Sequence, residues 1–286
     1  MSSQPAASHD SDPIHEVAPG VLRVRAANPG PMTLDGTNTW VLTGDGVGAV
    51  VIDPGPGLSD HLDRVLGLLA ERELAAEVVL LTHGHADHSE GAAQFARGAD
   101  APLRAWSPHW STDRPLAGQE LLRAAGLEVE VLHTPGHTSD SVSLAVGPWL
   151  FTGDTVLGRG TTVVAHPDGR LGDYLGSLAL LRGRVDAGVT ALLPGHGPAV
   201  SEPAAWIDYY LSHRSDRLRA VADAAHDRGS GADLAGAAAD AEALDDLVQR
   251  VVERVYADVP QQLWPAAALS VRAQLLYLAE QQAETG

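Results

Sequence analysis

One short run of metal-binding side chains constrains this chain more than any other feature. It reads Thr82-His-Gly-His-Ala-Asp-His88 and directly follows the apolar residues 78–81, which have the composition of a buried strand. Side chains alternate along an extended backbone, so His83 and His85 are expected to point to the same side. The aspartate and histidine that end the run fall where the chain turns into the next helix. Imidazole and carboxylate ligands suit zinc, and similar sites take iron or manganese, so the run predicts a metal site.

The same order of an apolar run, a short Gly or Pro turn and a ligand residue recurs three times. The segments are Val131-Leu-His-Thr-Pro-Gly-His137, Leu150-Phe-Thr-Gly-Asp154 and Leu192-Leu-Pro-Gly-His196. Open α/β sheets assemble their sites just past the carboxyl ends of strands. The residues that end these segments, taken together with the first run, supply five histidines and two aspartates. That set is large enough for two ions that share one carboxylate.

Apolar runs separated by Gly and Pro alternate with helical patterns up to about residue 200. Strands are predicted at 21–25, 39–43, 48–53, 78–82, 129–132, 142–146, 149–152 and 190–193. Helices are predicted at 61–72, 91–97 and 173–181 and, beyond Ser201, at 204–225, 245–256 and 269–282, with a break at 229–232. This pattern is typical of an α/β layered fold. It divides the chain into a loose tail (1–12), an α/β domain that contains the predicted metal site (13–203) and an all-helical C-terminal domain (204–286).

Composition excludes several classes of function. The 286-residue chain has a net charge of −18 and no lysine, and such acidity disfavours non-specific binding of phosphate polymers. The absence of cysteine excludes disulfides, thiolate metal ligands and a cysteine nucleophile. With 44% hydrophobic residues and no window of about 18 apolar residues, we expect a globular protein without a membrane span. The first ten residues have neither a basic flank nor an apolar core, so we expect no signal peptide and a cytoplasmic location.

The order of the motifs resembles the metallo-β-lactamase superfamily. The chain has HxHxDH, then Gly-His within Thr134-Pro-Gly-His-Thr138, then Gly-Asp, then Pro-Gly-His, over residues 20–200. Three further segments, at 28–40, 157–162 and 210–214, are similar to the beta-lactamase-like protein 2 branch. The superfamily implies an αβ/βα sandwich with a dinuclear site along one edge. The branch implies a small helical, winged-helix-like C-terminal domain.

The resemblance also assigns the ligands. By analogy, one ion is held by His83, His85 and His137, the other by Asp87, His88 and His196, and Asp154 bridges the two. Asp87 and Asp154 are the candidate catalytic carboxylates. The expected cofactor is two zinc ions, with iron or manganese as alternatives.

Two dications about 3.5–4 Å apart would lower the pKa of a bridging water, which predicts hydrolysis by hydroxide. A thioester or related small ester, free or linked to a carrier protein, is the favoured substrate, because it needs few arginines. Single-strand RNA cleavage is the alternative. Acidity disfavours it, since residues 201–286 have twice as many acidic residues as arginines. A mononuclear iron oxygenase and a non-catalytic binding protein are less favoured, because the full ligand set is present.

Six further residues are candidates for substrate binding: Asn38, Arg159, Thr161, Tyr174, His213 and Arg214. Each has a structural alternative. Asn38 also suits a hydrogen bond that orients a metal ligand, or a β-turn. Arg159 suits a surface position, and Tyr174 suits core packing. His213 and Arg214, which match the branch's Ser-His-Arg element, also suit an ion pair on the helix surface with Asp208 or Asp216.

Overall fold

Two β-sheets face each other, and the N-terminal part of the chain builds the first. The computed structural model describes residues 12–226 and 234–285. The first sheet has six strands in chain order: β1 (Ile14–Ala18), β2 (Val21–Arg25), β3 (Asn38–Leu42), β4 (Gly48–Ile52), β5 (Ala75–Leu80) and β6 (Leu103–Arg104). The first four strands pair antiparallel, whereas β4, β5 and β6 run parallel. Parallel neighbours need crossover connections. These contain α1 (Ser59–Glu71), then α2 (Ala86–Ser89) and α3 (Ala92–Gly98).

The second sheet has five strands in the order β11-β10-β9-β8-β7. Its strands are β7 (Leu121–Ala124), β8 (Leu127–His133), β9 (Val142–Val146), β10 (Trp149–Gly153) and β11 (Ala191–Pro194). The pairing is antiparallel from β7 to β10. The last pair, β10 with β11, is parallel and is connected through α4 (Leu171–Asp186).

Apolar side chains fill three layers around the sheets. Trp40 and Phe151 meet between the two sheets, with ring centroids 5.6 Å apart and an edge-on geometry. Phe95 packs beneath the outer face of the first sheet, and Leu178 beneath that of the second. Strands buried on both faces need apolar residues at nearly every position. This explains the apolar run of β4 and that of β9, which is interrupted by the buried Ser143. The arrangement confirms the predicted αβ/βα sandwich.

The C-terminal part of the chain is helical. Its helices are α5 (Pro203–His226), α6 (Leu234–Ala239), α7 (Ala241–Val255) and α8 (Trp264–Thr285). The first half of α5 packs against the second sheet through Trp206 and Ile207, whereas Val221 joins the core of the C-terminal helices. Residues 203–226 and 234–285 contain no β-strand. None of the described helices combines the length and the apolar character needed to cross a bilayer.

The predicted elements match the observed ones closely where the apolar pattern is strong. The strands predicted at 21–25 and 142–146 have the observed bounds, and the long helix predicted at 204–225 is α5. The sequence patterns do not indicate β1 and β7, which are largely exposed, or the two-residue β6. The predicted tail, apart from Asp12, and the predicted break at 229–232 lie outside the described residues. The domain boundary at 203/204 stays a prediction.

Candidate metal centre

Four loops converge at one edge of the sandwich, each of them following a strand. The loop after β5 continues into α2, and the other three follow β8, β10 and β11. Together they bring the seven predicted ligands into overlapping groups: His83, His85, Asp87, His88, His137, Asp154 and His196. The carboxyl ends of strands from both sheets therefore form one site, as the recurring motif order predicts.

His83, His85 and His137 form the first group. His85 Nδ1 lies 3.1 Å from His83 Nε2 and 3.0 Å from His137 Nε2. Ligand atoms roughly 2.0–2.1 Å from a tetrahedral zinc ion are about 3.3 Å apart, so the three nitrogens fit a single ion. His83 and His137 are buried and His85 is exposed, so the group is open to solvent on one side.

Asp87, His88 and His196 form the second group. Asp87 Oδ2 lies 3.1 Å from His196 Nε2 and 3.4 Å from His88 Nε2. The two Nε2 atoms are 3.3 Å apart. Both imidazoles are buried, whereas the Asp87 side chain is 27% exposed and is the member that faces solvent. One carboxylate oxygen and two imidazole nitrogens are a donor set that suits a second zinc, iron or manganese ion.

Asp154 lies between the two groups. Its Oδ2 is 3.3 Å from His196 Nε2 and 3.7 Å from His137 Nε2, and its Oδ1 is 3.4 Å from His88 Nε2. Asp154 Oδ1 is buried and has no hydrogen-bond partner. A buried carboxylate oxygen that accepts no hydrogen bond is costly, and the His88 imidazole at 3.4 Å or a metal cation beside the oxygen offsets that cost. This buried oxygen, which accepts no hydrogen bond and lies among the imidazoles, is the feature of the structure that best fits a metal centre.

The outward-facing nitrogens of the buried imidazoles are held by the protein. His137 Nδ1 donates to the Val163 carbonyl oxygen (2.9 Å), and His196 Nδ1 donates to that of Gly36 (3.2 Å). A carbonyl oxygen can only accept, so Nδ1 carries a proton in both rings and Nε2 is available to face an ion. Such outer hydrogen bonds fix the orientation of metal-binding histidines.

Asp53 is a residue of the site that the motif pattern does not single out. It directly follows β4, is 1% exposed and has a φ of 51°. Its Oδ1 accepts from the Thr82 backbone N–H (2.7 Å), and its Oδ2 accepts from the Thr82 hydroxyl (2.6 Å) and contacts His88 Nδ1 (2.8 Å). Its position directly after a strand is the sequence feature that could have indicated a role in the site. The turn residue Pro54 follows this aspartate, whereas in the recurring motif the turn precedes the ligand.

The two groups differ in the direction in which the surroundings shift the pKa values of their buried imidazoles. Burial, reinforced by the charge of His88, holds the pKa of His83 well below its usual range, and burial also lowers the pKa of His137. In the second group burial also lowers the pKa values of the imidazoles, but the neighbouring aspartates outweigh this effect. Asp154 raises the pKa of His196 to about 9, and Asp154 and Asp53 raise that of His88 well above its ordinary value.

The carboxyl groups of the site are correspondingly acidic. Burial raises the pKa of Asp154, but the charges of His196 and His88 outweigh it and hold the value well below the usual range. Burial likewise opposes ionisation of Asp87, but its hydrogen bond with His196 and the charge of His88 lower its pKa to about 2. In the metal-free protein, protons on the second-group imidazoles therefore balance the two carboxylates.

Three of the predicted substrate-binding residues lie at or beside the loops of the site. Asn38 is fully buried on β3, and its Nδ2 donates to the carbonyl oxygens of Pro194 (3.0 Å) and Gly197 (2.9 Å), on either side of His196. Arg159 Nη2 donates to Asp35 Oδ1 (3.1 Å) in a partly exposed ion pair. Thr161 is partly buried on the same loop as Arg159.

The other three lie behind that loop. The Tyr174 hydroxyl donates to the Thr155 carbonyl oxygen (2.7 Å), and the Arg214 guanidinium donates to that of Thr162. His213 is half-buried, and burial lowers its pKa. Within the described part of the chain, Asp208 pairs with Arg182 and Asp216 pairs with Arg219, and neither aspartate forms an ion pair with His213 or Arg214.

Two family models match the chain. The model of the metallo-beta-lactamase superfamily matches residues 32–196, a range that contains all seven candidate ligands. The model of the beta-lactamase associated winged helix domain matches residues 248–283, which span the end of α7 and most of α8.

Relatives and solved structures agree with these matches. A Beta-lactamase-like protein 2 homolog from Drosophila melanogaster is 33% identical over 272 residues, covering 89% of this chain and 86% of the relative. An atrochrysone carboxyl ACP thioesterase from Aspergillus chevalieri is 33% identical over 260 residues, covering 87% of this chain and 77% of that relative. The crystal structure of a metallo-beta-lactamase family protein from Thermus thermophilus shares the fold, with a TM-score of 0.70 at 20% identity over 94% of this chain and 96% of that one. The chain therefore belongs to the metallo-β-lactamase superfamily and is a metallohydrolase of that fold.

Proposed function

We propose that this chain is a dinuclear hydrolase that cleaves a thioester or a related small ester into a carboxylic acid and a thiol or alcohol. One ion, zinc or alternatively iron or manganese, would be held by the three histidines of the first group, and the second by Asp87, His88 and His196. The observation that carries the proposal is the buried Oδ1 of Asp154, which accepts no hydrogen bond and lies between these two groups.

When bound, two adjacent dications lower the pKa of water and polarise the carbonyl group of an ester. The side chains of the chain do the rest. Asp87 is held by the Thr37 hydroxyl (3.0 Å) and is partly exposed, so its carboxylate lies on the side of the site that water and substrate can reach. The exposed edge of His85 leaves room for the carbonyl of the substrate. The carbonyls of Val163 and Gly36 keep His137 and His196 from turning.

The charges around the site support an ester over a phosphate polymer. A nuclease needs several cations to hold successive phosphates. Arg159 is already paired with Asp35, and Arg214 is buried against the backbone of the 155–163 loop, so neither is a free contact for a phosphate chain. Two relatives are named as acyl carrier protein thioesterases, which supports a carrier-linked thioester in particular.

The test is hydrolysis of a panel of acyl thioesters, free and carrier-linked, and of single-stranded RNA by zinc-loaded protein. We expect thioester hydrolysis, and we expect Asp154→Asn to lower kcat/KM by more than about 100-fold. Asp216→Asn, which changes an exposed aspartate of α5, is the matched control and should have the activity of the parent.

Three results would contradict the proposal in different ways. Full activity of the Asp154→Asn variant would overturn the role of Asp154. RNA cleavage that this variant loses, with no thioester hydrolysis by the parent, would replace the proposed substrate with a phosphodiester. A single iron ion per chain, with no hydrolysis of either substrate, would support the oxygenase alternative.

A further inference from the structure

The loop at residues 155–163, which follows the candidate bridging residue, contacts three of the proposed ligands. It begins directly after Asp154 in the chain. The Gly158 N–H donates to the His196 carbonyl oxygen (2.9 Å), and the Val163 carbonyl oxygen accepts from His137 Nδ1 (2.9 Å). The position of this loop therefore affects ligands of both groups.

One face of α5 holds the loop. Trp206, Tyr210 and Arg214 are spaced four residues apart, so they lie on the same side of the helix. Trp206 Nε1 donates to the Leu157 carbonyl oxygen (2.8 Å), and the Leu157 N–H donates to the Tyr210 hydroxyl oxygen (2.8 Å). All three side chains are buried. The helix thus clamps the loop through its backbone, independently of the loop's side chains.

Arg214 is linked to the bridging residue through Thr162. Its guanidinium donates to the Thr162 carbonyl oxygen, and the Thr162 hydroxyl donates to the Asp154 carbonyl oxygen (2.7 Å). The guanidinium also lies over the Tyr174 ring, 5.0 Å from its centroid, and the Tyr174 hydroxyl donates to the Thr155 carbonyl oxygen (2.7 Å). Arg214 therefore braces both ends of the loop, directly at Thr162 and through Tyr174 at Thr155.

Packing alone does not account for a charge at this position. Arg214 is 7% exposed, its Nε has no hydrogen-bond partner, and within residues 12–226 and 234–285 no carboxylate forms an ion pair with it. Burying a guanidinium without a counter-ion is unfavourable, and an apolar side chain would fill the same space without that cost. What an apolar side chain cannot supply is the hydrogen bond to Thr162 and the cation above the Tyr174 ring.

We propose that Arg214 is a positioning residue of the metal centre, which acts through Thr162 and Tyr174 to fix the carboxylate of Asp154 between the two groups. This inference rests on the proposed function, because it needs the seven side chains to bind ions. It makes the first C-terminal helix a part of the active-site architecture, although none of its residues is among the ligands.

The experiment compares Arg214→Met, Arg214→Lys and the control Arg217→Met in the full-length protein. Arg217 lies on the same helix but contacts Tyr256 and the Val255 carbonyl oxygen, away from the loop. Zinc affinity and stoichiometry are measured by competition with a chromogenic chelator, and the site geometry by the absorption spectrum of the cobalt-substituted protein. The steady-state constants kcat and KM are measured for the best thioester.

We expect Arg214→Met to bind the less tightly held of the two zinc ions about 10- to 100-fold more weakly than the parent does. The variant should also have a changed cobalt spectrum, and its kcat should fall by a larger factor than its KM rises. Arg214→Lys, which keeps a charge and a donor, should recover part of the loss. Arg217→Met should match the parent in every measurement. Parent-like zinc affinity and cobalt spectrum in Arg214→Met would overturn the inference and leave the proposed function intact.

Two further outcomes are also decisive. Where Arg214→Met does not fold, Thr162→Val tests the same link from its other end, because it removes the hydroxyl that donates to Asp154 and keeps the shape of the side chain. If the Thr162→Val variant binds the second zinc ion less tightly than the parent, the inference is supported. Zinc affinity equal to that of the parent contradicts it. A parent protein that binds no pair of ions overturns the proposed function itself, before any variant is compared.

Discussion

Asp53 Oδ2 lies 2.8 Å from Nδ1 of His88, and both side chains are almost completely buried. This pair connects the end of β4 to the start of the second group of candidate ligands. The same carboxylate accepts two hydrogen bonds from Thr82, so it is fixed before any ion binds. Asp53 therefore sets the direction in which His88 Nε2 faces.

We expect Asp53→Asn to weaken binding of the second ion by about 10- to 100-fold, because an amide holds the His88 ring less strongly than a carboxylate does. Asparagine tolerates the left-handed φ of 51° at this position, so the backbone should not change. Asp100→Asn is the matched control, since Asp100 is exposed and has a φ of 50°. Zinc titration with a competing chelator gives the affinities. Equal affinities in the two variants would show that Asp53 does not orient the ligand.

Each group of candidate ligands should hold one ion. His85→Ala removes a nitrogen only from the first group, and His196→Ala removes one only from the second. We expect the metal content of each variant to fall from about two ions per chain to about one, and the double variant to lose both. Elemental analysis after dialysis measures this, with His226→Ala at the exposed end of α5 as the control. Retention of two ions by both single variants would disprove the assignment of ligands.

Gly195 leaves no space for a side chain beside the site. A Cβ atom there would lie 2.5 Å from Asp154 Oδ1 and 2.6 Å from His88 Cε1. We expect Gly195→Ala to displace these side chains and to lower both metal affinity and kcat/KM by more than about 10-fold.

The control is Gly176→Ala in the exposed part of α4, where a Cβ atom meets nothing within 4 Å. That change should leave activity unchanged and stabilise the helix by about 0.5–1 kcal/mol, which a small rise in the unfolding temperature would report. Parent-like metal binding by Gly195→Ala would mean that the site is wider than the structure indicates.

Binding of the second ion should release protons near neutral pH. Burial lowers the pKa values of His88 and His196, but the neighbouring aspartates more than offset this and raise them, to about 9 for His196. The metal-free protein therefore holds an extra proton on this pair of rings at neutral pH, and that proton must leave because a metal ligand must be neutral. Apparent affinity should rise with pH up to about pH 9 and fall on acidification.

Calorimetric titration with zinc in buffers of different ionisation enthalpy measures this release. The heat of binding should depend on the buffer near pH 7 and much less so above pH 9. The variant His196→Ala should release fewer protons. A heat that is the same in every buffer near neutral pH would show that the imidazoles are already neutral without metal.

Much of this protein could be predicted from local patterns. The alternation of apolar runs with helical segments predicted the α/β class, and a ligand residue after each of several strands predicted that they would meet. These inferences succeed because side-chain periodicity and the chemistry of strand ends depend on neighbours along the chain. Local patterns do not indicate the exposed strands β1 and β7, because these strands have no strong apolar pattern.

The supporting residues depended on contacts between distant parts of the chain. Asp53 and His88 are 35 residues apart, and Arg214 contacts a loop 52 residues before it. No spacing rule links such positions, because their proximity arises from the packing of α5 and the two sheets. The residue types and order of the candidate ligands were thus present in the sequence. Other properties arise only when the layers pack. They are the ring nitrogen that faces inward, the carboxylate oxygen that is left without a hydrogen bond, and the buried side chains that fix both.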